Sequence, residues 1–173
     1  KDYEGALRTD ARAVEDMRYV HEAPAEKTLV DVVLLSITCS NNAGTCCSLL
    51  EQWDEAASFA RNALVLIETL EPKQNENRHQ RMPYAMLSKL GYTDSKLFGE
   101  WRVKSLLTIA KAFAKNEKHE EALGMIKVAR VVIDKYTAQE FVKQPALLGS
   151  IKLLRANEKK ARKLKKVCKE RLK

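Results

Sequence analysis

A short phrase that occurs three times along the chain constrains its fold more than any other feature. Each copy has an aromatic residue or a histidine, two mostly acidic residues, an alanine and an aliphatic residue, and the copies begin at Tyr3, Trp53 and His119. In every copy a second alanine follows seven residues after the first, which keeps both on one face of a helix. A helical phrase repeated in this way predicts stacked helical units. The alanine pairs are Ala6 and Ala13, Ala56 and Ala63, and Ala122 and Ala129.

The rest of the chain also favours helices. Only six glycines and four prolines interrupt it, and apolar residues recur at helical rather than strand spacing. We therefore predict an all-α fold with Trp53 and Trp101 in its core. The predicted helices span residues 2–18, 26–50, 53–70, 94–115, 119–135 and 144 to the end.

Two small residues, Gly44 and Ala110, stand twelve positions before the first alanine of the second and third copies. Together these spacings resemble the tetratricopeptide repeat, a helix-turn-helix unit whose small residues let two helices pack closely. The resemblance implies a right-handed superhelix of antiparallel helix pairs that ends in a long C-terminal capping helix. Residues 1–173 would then form a single domain. Its parts would be the second helix of a truncated first repeat (1–18), a second repeat (26–70), a long connection (71–93), a third repeat (94–135) and a basic C-terminal helix (144–173).

This order of elements is similar to the carboxy-terminal half of the large FKBP-type immunophilins and related heat-shock co-chaperones. The sequence Asn-Ala-Gly-Thr-Cys from Asn42 to Cys46 stands where that family has an Asn-Leu-Ala-x-Cys type of phrase, and residues 147–173 correspond to its final helix. The resemblance implies a non-catalytic adaptor that binds other proteins. A peptidyl-prolyl isomerase domain is expected only outside this segment, which has no isomerase residues.

In that family a carboxylate clamp holds the acidic C-terminal tail of a heat-shock chaperone, and part of the clamp has a match here. Asn42 takes the place of the second-helix asparagine and Lys104 that of the third-helix lysine. The arginine position holds Thr108, whose hydroxyl cannot replace a bidentate guanidinium. Lys111 and Lys115 lie roughly on the helix face of Lys104 and are expected to compensate. The implied partner is the tail of a chaperone of the ninety-kilodalton class.

Alternatives stay open for these residues. Asn42 could bond only to neighbouring backbone, and the three lysines could form an ordinary solvated face. Thr108 and the long connection 71–93 would then favour a tetratricopeptide scaffold that binds a different client and has no working clamp.

The last helix carries most of the positive charge. Residues 152–173 contain eleven basic residues and two glutamates, a net of +9, so the other 151 residues sum to −1 within the formal total of +8. An apolar stripe makes this helix amphipathic and similar to calmodulin targets. Its first half is expected to cap the last repeat, and the part beyond Lys159 to project. A plain solvated extension is the alternative, and nucleic acid is not expected as a partner. The candidate calmodulin contacts are Leu164, Lys165, Lys166 and Cys168.

No catalytic or metal-binding motif is recognisable in the sequence. The four cysteines form no Cys-x-x-Cys pair and the three histidines are distant from them, so neither a metal nor another cofactor is expected. Phosphate-binding loops, G-x-S-x-G and H-E-x-x-H are absent, which argues against an enzyme. Cys46 and Cys47 fall in an apolar helical pattern as small buried residues, which indicates a reducing compartment, the cytoplasm or the nucleus. No uninterrupted apolar run approaches the roughly 20 residues of a membrane helix, so no span is expected.

Overall fold

A computed structural model describes residues 2–18, 26–71, 95–138 and 148–172, and within these ranges the chain forms helices and turns but no strand. This confirms the all-α prediction. For five of the six predicted helices every described end lies within two residues of its predicted position. The predicted connection 71–93, apart from residue 71, and the predicted helix start at 144–147 lie outside the described residues. The helices are α1 (Tyr3–Arg18), α2 (Glu26–Leu49), α3 (Trp53–Leu70), α4 (π-helical Ser95–Trp101 continued by α-helical Arg102–Lys115), α5 (His119–Thr137) and α6 (Leu148–Arg171).

Helices α2 and α3 pack side by side in opposite directions. Asn62 Nδ2 on α3 donates a hydrogen bond to Ser40 Oγ on α2 at 3.0 Å. Further along α2, Gly44 faces Ala56 and Ala60, which come earlier on α3. Because later residues of α2 contact earlier residues of α3, the two helices are antiparallel.

The later helices alternate in the same way. Asp54 at the start of α3 accepts a hydrogen bond from Asn116 just after α4, at 2.8 Å, whereas Glu68 near the end of α3 pairs with Arg102 near the start of α4, at 3.5 Å. A three-residue turn reverses the chain between α4 and α5, and α6 packs back along α5. Helices α2, α4 and α6 therefore run parallel in one layer, and α3 and α5 form the other.

The repeated alanines lie where helices approach each other closely. A Cβ atom on Gly44 would stand 3.2 Å from the carbonyl oxygen of Ala56, a tight distance, so this contact favours a residue without a side chain. Ala6 in the first copy is exposed instead. The later copies and the small residue upstream of the third are fully buried, namely Ala56, Ala63, Ala110, Ala122 and Ala129.

The turns after α2 and after α4 share one backbone geometry. Glu51 and Glu117 both adopt a φ of 61°, in the left-handed region. In each turn the next amide closes on a carbonyl five residues earlier, Gln52 N to Cys47 O and Lys118 N to Phe113 O, both at 2.9 Å. This is the hydrogen-bond pattern of a Schellman motif, which caps the carbonyls at the helix end. The two helical hairpins therefore repeat in structure as well as in sequence.

The second half of α6 does not project, contrary to the expectation from the sequence. Ala161 and Cys168 are both fully buried, and Ala161 joins a small core with Ala110 and Ile126. An alanine and a cysteine seven residues apart leave a shallow face on which α5 can pack. The basic residues occupy the flanks of the helix rather than a free extension.

One segment of α2, Val30–Leu49, is long and apolar enough by composition to cross a membrane. In the most apolar part of this segment, 61% of the residues are buried inside the protein. Helix α2 packs on α1, α3 and α4. The apolar character of the segment is accounted for by this burial, as in the core helix of a helical array.

Candidate functional site

The parallel layer of α2, α4 and α6 forms the wall of an open groove with a volume of about 700 Å³. Side chains from the last turns of α2, from most of α4 and from the middle of α6 line it. Four of the lining residues are lysines and one is acidic, Glu100. The groove is therefore positively charged.

The structure brings Asn42 and Lys104 together beside this groove, which Lys104 lines and Asn42 does not. Lys104 Nζ donates a hydrogen bond to Asn42 Oδ1 at 3.3 Å across the α2–α4 interface. Asn42 is exposed and Lys104 is half-buried. The amide group of Asn42 keeps its donor protons, and an ammonium group has three, so both can bond to one further acceptor.

A buried polar contact fixes the helices beneath this pair. Ser105 Oγ donates to Asn41 Oδ1 at 2.8 Å, and both side chains are buried. The Nδ2 atom of Asn41 is also buried and has no hydrogen-bond partner among the described residues. Because Asn41 and Ser105 are the sequence neighbours of Asn42 and Lys104, this contact sets the register of α2 against α4. That register is what places the ammonium group beside the amide.

The charge of Lys104 is only partly compensated. Burial lowers the pKa of Lys104, while Glu100 and, more weakly, Cys46 and Asp10 act to raise it. Burial likewise raises the pKa of Asp10, although a hydrogen bond with Cys39 and the charge of Lys104 lower it. An ammonium group that has lost hydration without a strong counter-charge gains free energy when an anion binds next to it.

Thr108 lies in the groove but does not replace an arginine. Its Oγ1 donates to the carbonyl oxygen of Lys104, one helical turn earlier, at 3.0 Å. The hydroxyl proton is thus used within α4. A ligand carboxylate at this position would meet only the oxygen lone pairs of Thr108, not a donor.

Lys111 and Lys115 occupy different places along α4. Lys111 lines the groove, and both it and Lys115 line an adjoining cavity of about 490 Å³. Their Nζ atoms stand over the ring of Trp53 at 4.9 and 5.5 Å from its centroid. Trp53 is half-buried at this edge, so the expectation that it lies in the core is wrong, whereas Trp101 is partly buried and packs against the hydrophobic core. Cation–π contact holds the two lysines in place without neutralising them.

The α6 wall of the groove was missed by the sequence reasoning. Leu153 and Val167 are each 49% exposed there, and Leu49 on the opposite wall is 50% exposed. Lys160 and Lys163 stand between the two α6 residues. The signal in the sequence was a second apolar stripe on α6, offset from the stripe that packs on α5. Exposed apolar side chains gathered in a concave, charged groove are typical of a binding surface.

The residues expected to contact calmodulin do not share one surface. Leu164 lines the groove, whereas Lys165 and Lys166 line a cavity on the other flank of α6. Cys168 is fully buried. A partner that wraps the whole helix, as calmodulin does, would first have to detach α6 from α5.

The described residues offer no metal site at the groove, and their cysteine thiols are not activated. Burial raises the pKa of the Cys39, Cys46 and Cys168 thiols, and that of Cys47 to about 11, which keeps all four protonated and unreactive. Within the described ranges no three His, Cys, Asp or Glu side chains lie together as metal ligands would. Comparison of the chain with protein-family models, curated proteins and solved structures finds no match.

Proposed function

We propose that this chain is a non-catalytic adaptor that binds an acidic segment of another protein in the groove between α2, α4 and α6. The observation that carries the proposal is the joint presence of four lysines and several exposed apolar side chains in one open groove. A folded chain gains nothing from leaving such side chains exposed together, and an amphipathic acidic segment would cover both kinds at once.

We further propose that the helices form a tetratricopeptide-type right-handed superhelix. Two features support this. Helices α2, α4 and α6 run parallel, and the turns at Glu51 and Glu117 have the same geometry. In such arrays the inner helices bind extended or helical segments of partners. In such an array the groove between α2, α4 and α6 would take that position.

Within this function we propose a co-chaperone role, with the acidic C-terminal tail of a heat-shock chaperone of the ninety-kilodalton class as the ligand. The support is the contact between Asn42 and Lys104, which presents an amide and an ammonium donor side by side. Each charge-assisted hydrogen bond to a terminal carboxylate would contribute about 1.5–3 kcal/mol.

A second candidate is binding of a different client through its side chains rather than its terminal carboxylate. Thr108 favours it, because its hydroxyl already bonds within α4 and leaves the site without an arginine fork. The exposed Leu153 and Val167 favour it as well, since a short acidic tail would leave them uncovered.

Calorimetric titration with two forms of one acidic chaperone-tail peptide separates the candidates. The free acid is expected to bind, and Lys104→Ala to weaken it about tenfold, at 1.4 kcal/mol per tenfold. The C-terminally amidated form should bind much more weakly if the terminal carboxylate is held. Equal affinity of the two forms would reject the co-chaperone mode but keep the groove as an acidic-segment site. If neither form binds, nor any internal acidic amphipathic peptide, the proposed function is rejected as a whole.

A further inference from the structure

A second basic surface lies on the flank of α6 that faces away from the groove. Four basic residues of α6, spaced three, four and seven apart, share this flank with Arg130 of α5. They surround a recess of about 600 Å³ whose only acidic lining residue is Glu170. A neighbouring cavity of about 380 Å³ shares three of them, Arg130, Lys165 and Lys169. The four α6 residues are Arg162, Lys165, Lys166 and Lys169.

The three shared residues are the ones whose charges are free. Arg162 is paired with Glu158, and Lys166 lies 3.8 Å from Glu170. In the described part of the chain no carboxylate lies within salt-bridge distance of Arg130, Lys165 or Lys169. Three cations from two helices, none in a close ion pair with a described carboxylate, therefore converge on one recess, and Asp134 and Glu170 are the acidic residues that line the two cavities.

Arg130 lines both cavities and carries one donor that the described residues leave unsatisfied. Its Nε atom is buried and has no hydrogen-bond partner among the described residues. Buried donors are nearly always satisfied in folded proteins, and a bound water or ion is one way in which an unpaired one becomes satisfied. Since Nε is buried, a ligand in the recess would meet the exposed part of the Arg130 side chain, and the planar guanidinium group can hold two oxygens of one phosphate at once.

We propose that this recess binds a compact, multiply phosphorylated anion, such as a phosphorylated inositol ring. Its volume is that of a small-molecule site, which usually measures about 300–1,000 Å³. The basic residues on α6 extend over seven residues, about 10 Å at 1.5 Å per residue, which suits a ring with clustered phosphates and is short for a nucleic-acid strand. Arg130 binds one phosphate by its fork, and Lys165 and Lys169 neutralise its neighbours as point charges.

The site is independent of the peptide groove. None of its three central residues lines the groove, and the buried stripe of α6 separates the two surfaces. The adaptor would therefore bind a polyphosphate and an acidic peptide at the same time.

Titration calorimetry of the full chain with myo-inositol hexakisphosphate tests the proposal. Wild type is expected to bind, and Arg130→Gln and Lys169→Gln each to weaken binding about tenfold. Lys159→Gln is the matched control, because it removes one exposed charge from the same helix outside the recess, and it should change affinity at most about threefold. Arg130→Lys keeps the charge but not the fork, so it should lose nearly as much as Arg130→Gln. Thermal melts establish that each variant is folded, and Lys169, being exposed, provides a test that does not depend on a half-buried side chain.

Further titrations identify the source of the ligand and define failure. Phosphatidylcholine vesicles with and without phosphatidylinositol bisphosphate show whether the bound ring is soluble or a lipid headgroup; specific binding to either form supports the site. Absence of binding to both overturns it. Equal losses in Lys159→Gln and Arg130→Gln also overturn it, because they would indicate only diffuse attraction. A short single-stranded RNA that binds more tightly than the polyphosphate at the same salt concentration would assign the surface to nucleic acid instead.

Discussion

Lys104 Nζ lies 3.3 Å from Asn42 Oδ1, although 62 residues separate them in the chain. If the two side chains hold a ligand carboxylate as a unit, their contributions to binding must be coupled. We expect Asn42→Ala and Lys104→Ala each to weaken binding of the acidic peptide, and the double variant to lose less than the sum. The coupling energy should be about 0.5–3 kcal/mol, from calorimetric titration of all four proteins. Strict additivity would mean that the pair does not act together on the ligand.

The lowered pKa of Lys104 predicts a characteristic pH dependence of binding. An acidic ligand favours the charged form, so affinity should fall as pH rises through the pKa of the free protein, which burial places below the usual value of 10.5. An arginine stays charged in this range, so Lys104→Arg should lack this early fall. Titrations at several pH values above neutrality measure both curves. Parallel curves for the two proteins would exclude Lys104 as the titrating group.

The same pKa shift has a consequence for stability in the absence of ligand. Because the pKa is lower in the folded than in the unfolded chain, the charged form opposes folding below both values. Lys104 should therefore make the protein more stable as pH rises toward 10.5. Stability should thus increase with pH while the affinity for the acidic peptide decreases, so the two effects of the Lys104 pKa can be distinguished.

The apolar wall on α6 predicts a separate contribution to affinity. Leu153→Ala should weaken binding of an amphipathic acidic peptide about fivefold to tenfold, because it removes three carbon groups that contribute about 0.8 kcal/mol each when buried, and a ligand would newly bury roughly half of this side chain. Val65→Ala on α3 is the control, since Val65 is 58% exposed and lies outside the groove. Both variants should melt close to wild type. A Leu153→Ala protein that binds as tightly as wild type would show that the ligand does not reach α6.

The two left-handed glutamates predict a gain in stability. Glu51→Gly and Glu117→Gly should each stabilise the protein by up to about 1 kcal/mol, since the left-handed conformation costs an L-residue roughly 1–2 kcal/mol and glycine nothing, less the entropy that glycine loses on folding. Glu120→Gly in the first turn of α5 is the matched control and should destabilise instead. Chemical denaturation of the three variants measures this. Destabilisation by Glu117→Gly would mean that the turn geometry is different from the one described.

These relationships show how far the sequence could lead. Apolar periodicity and its breaks were enough to predict most helix ends, and the resemblance to the tetratricopeptide clamp singled out Asn42 and Lys104. The residues that line the groove could be identified only from the packing of the helices in the structure. The sequence carries two offset apolar stripes on α6, and only the burial of Ala161 and Cys168 shows which stripe packs inward and that Leu153 and Val167 face the groove.

The distribution of charged residues along the sequence predicted the binding surfaces less well than the helical periodicity predicted the helices. The run of basic residues in α6 predicted a single solvated or calmodulin-like helix, yet the structure divides it between two surfaces. Lys160 and Lys163 face the groove, and Lys165 and Lys169 face the recess beside α5. Composition alone cannot make this division, because it depends on the rotation of α6 about its axis. Trp53 illustrates the same limit, since its half-buried position reflects its contacts with Lys111 and Lys115.

The most direct test of the central claim is the location of a bound acidic peptide by amide and methyl NMR spectra. The adaptor account predicts that chemical-shift changes concentrate on Thr45, Leu107, Leu153, Leu164 and Val167, which face the groove, and leave Val65 and Val128 unchanged. The account would be contradicted by changes that concentrate around Arg130 and Lys169, that spread evenly over the basic residues, or that do not occur.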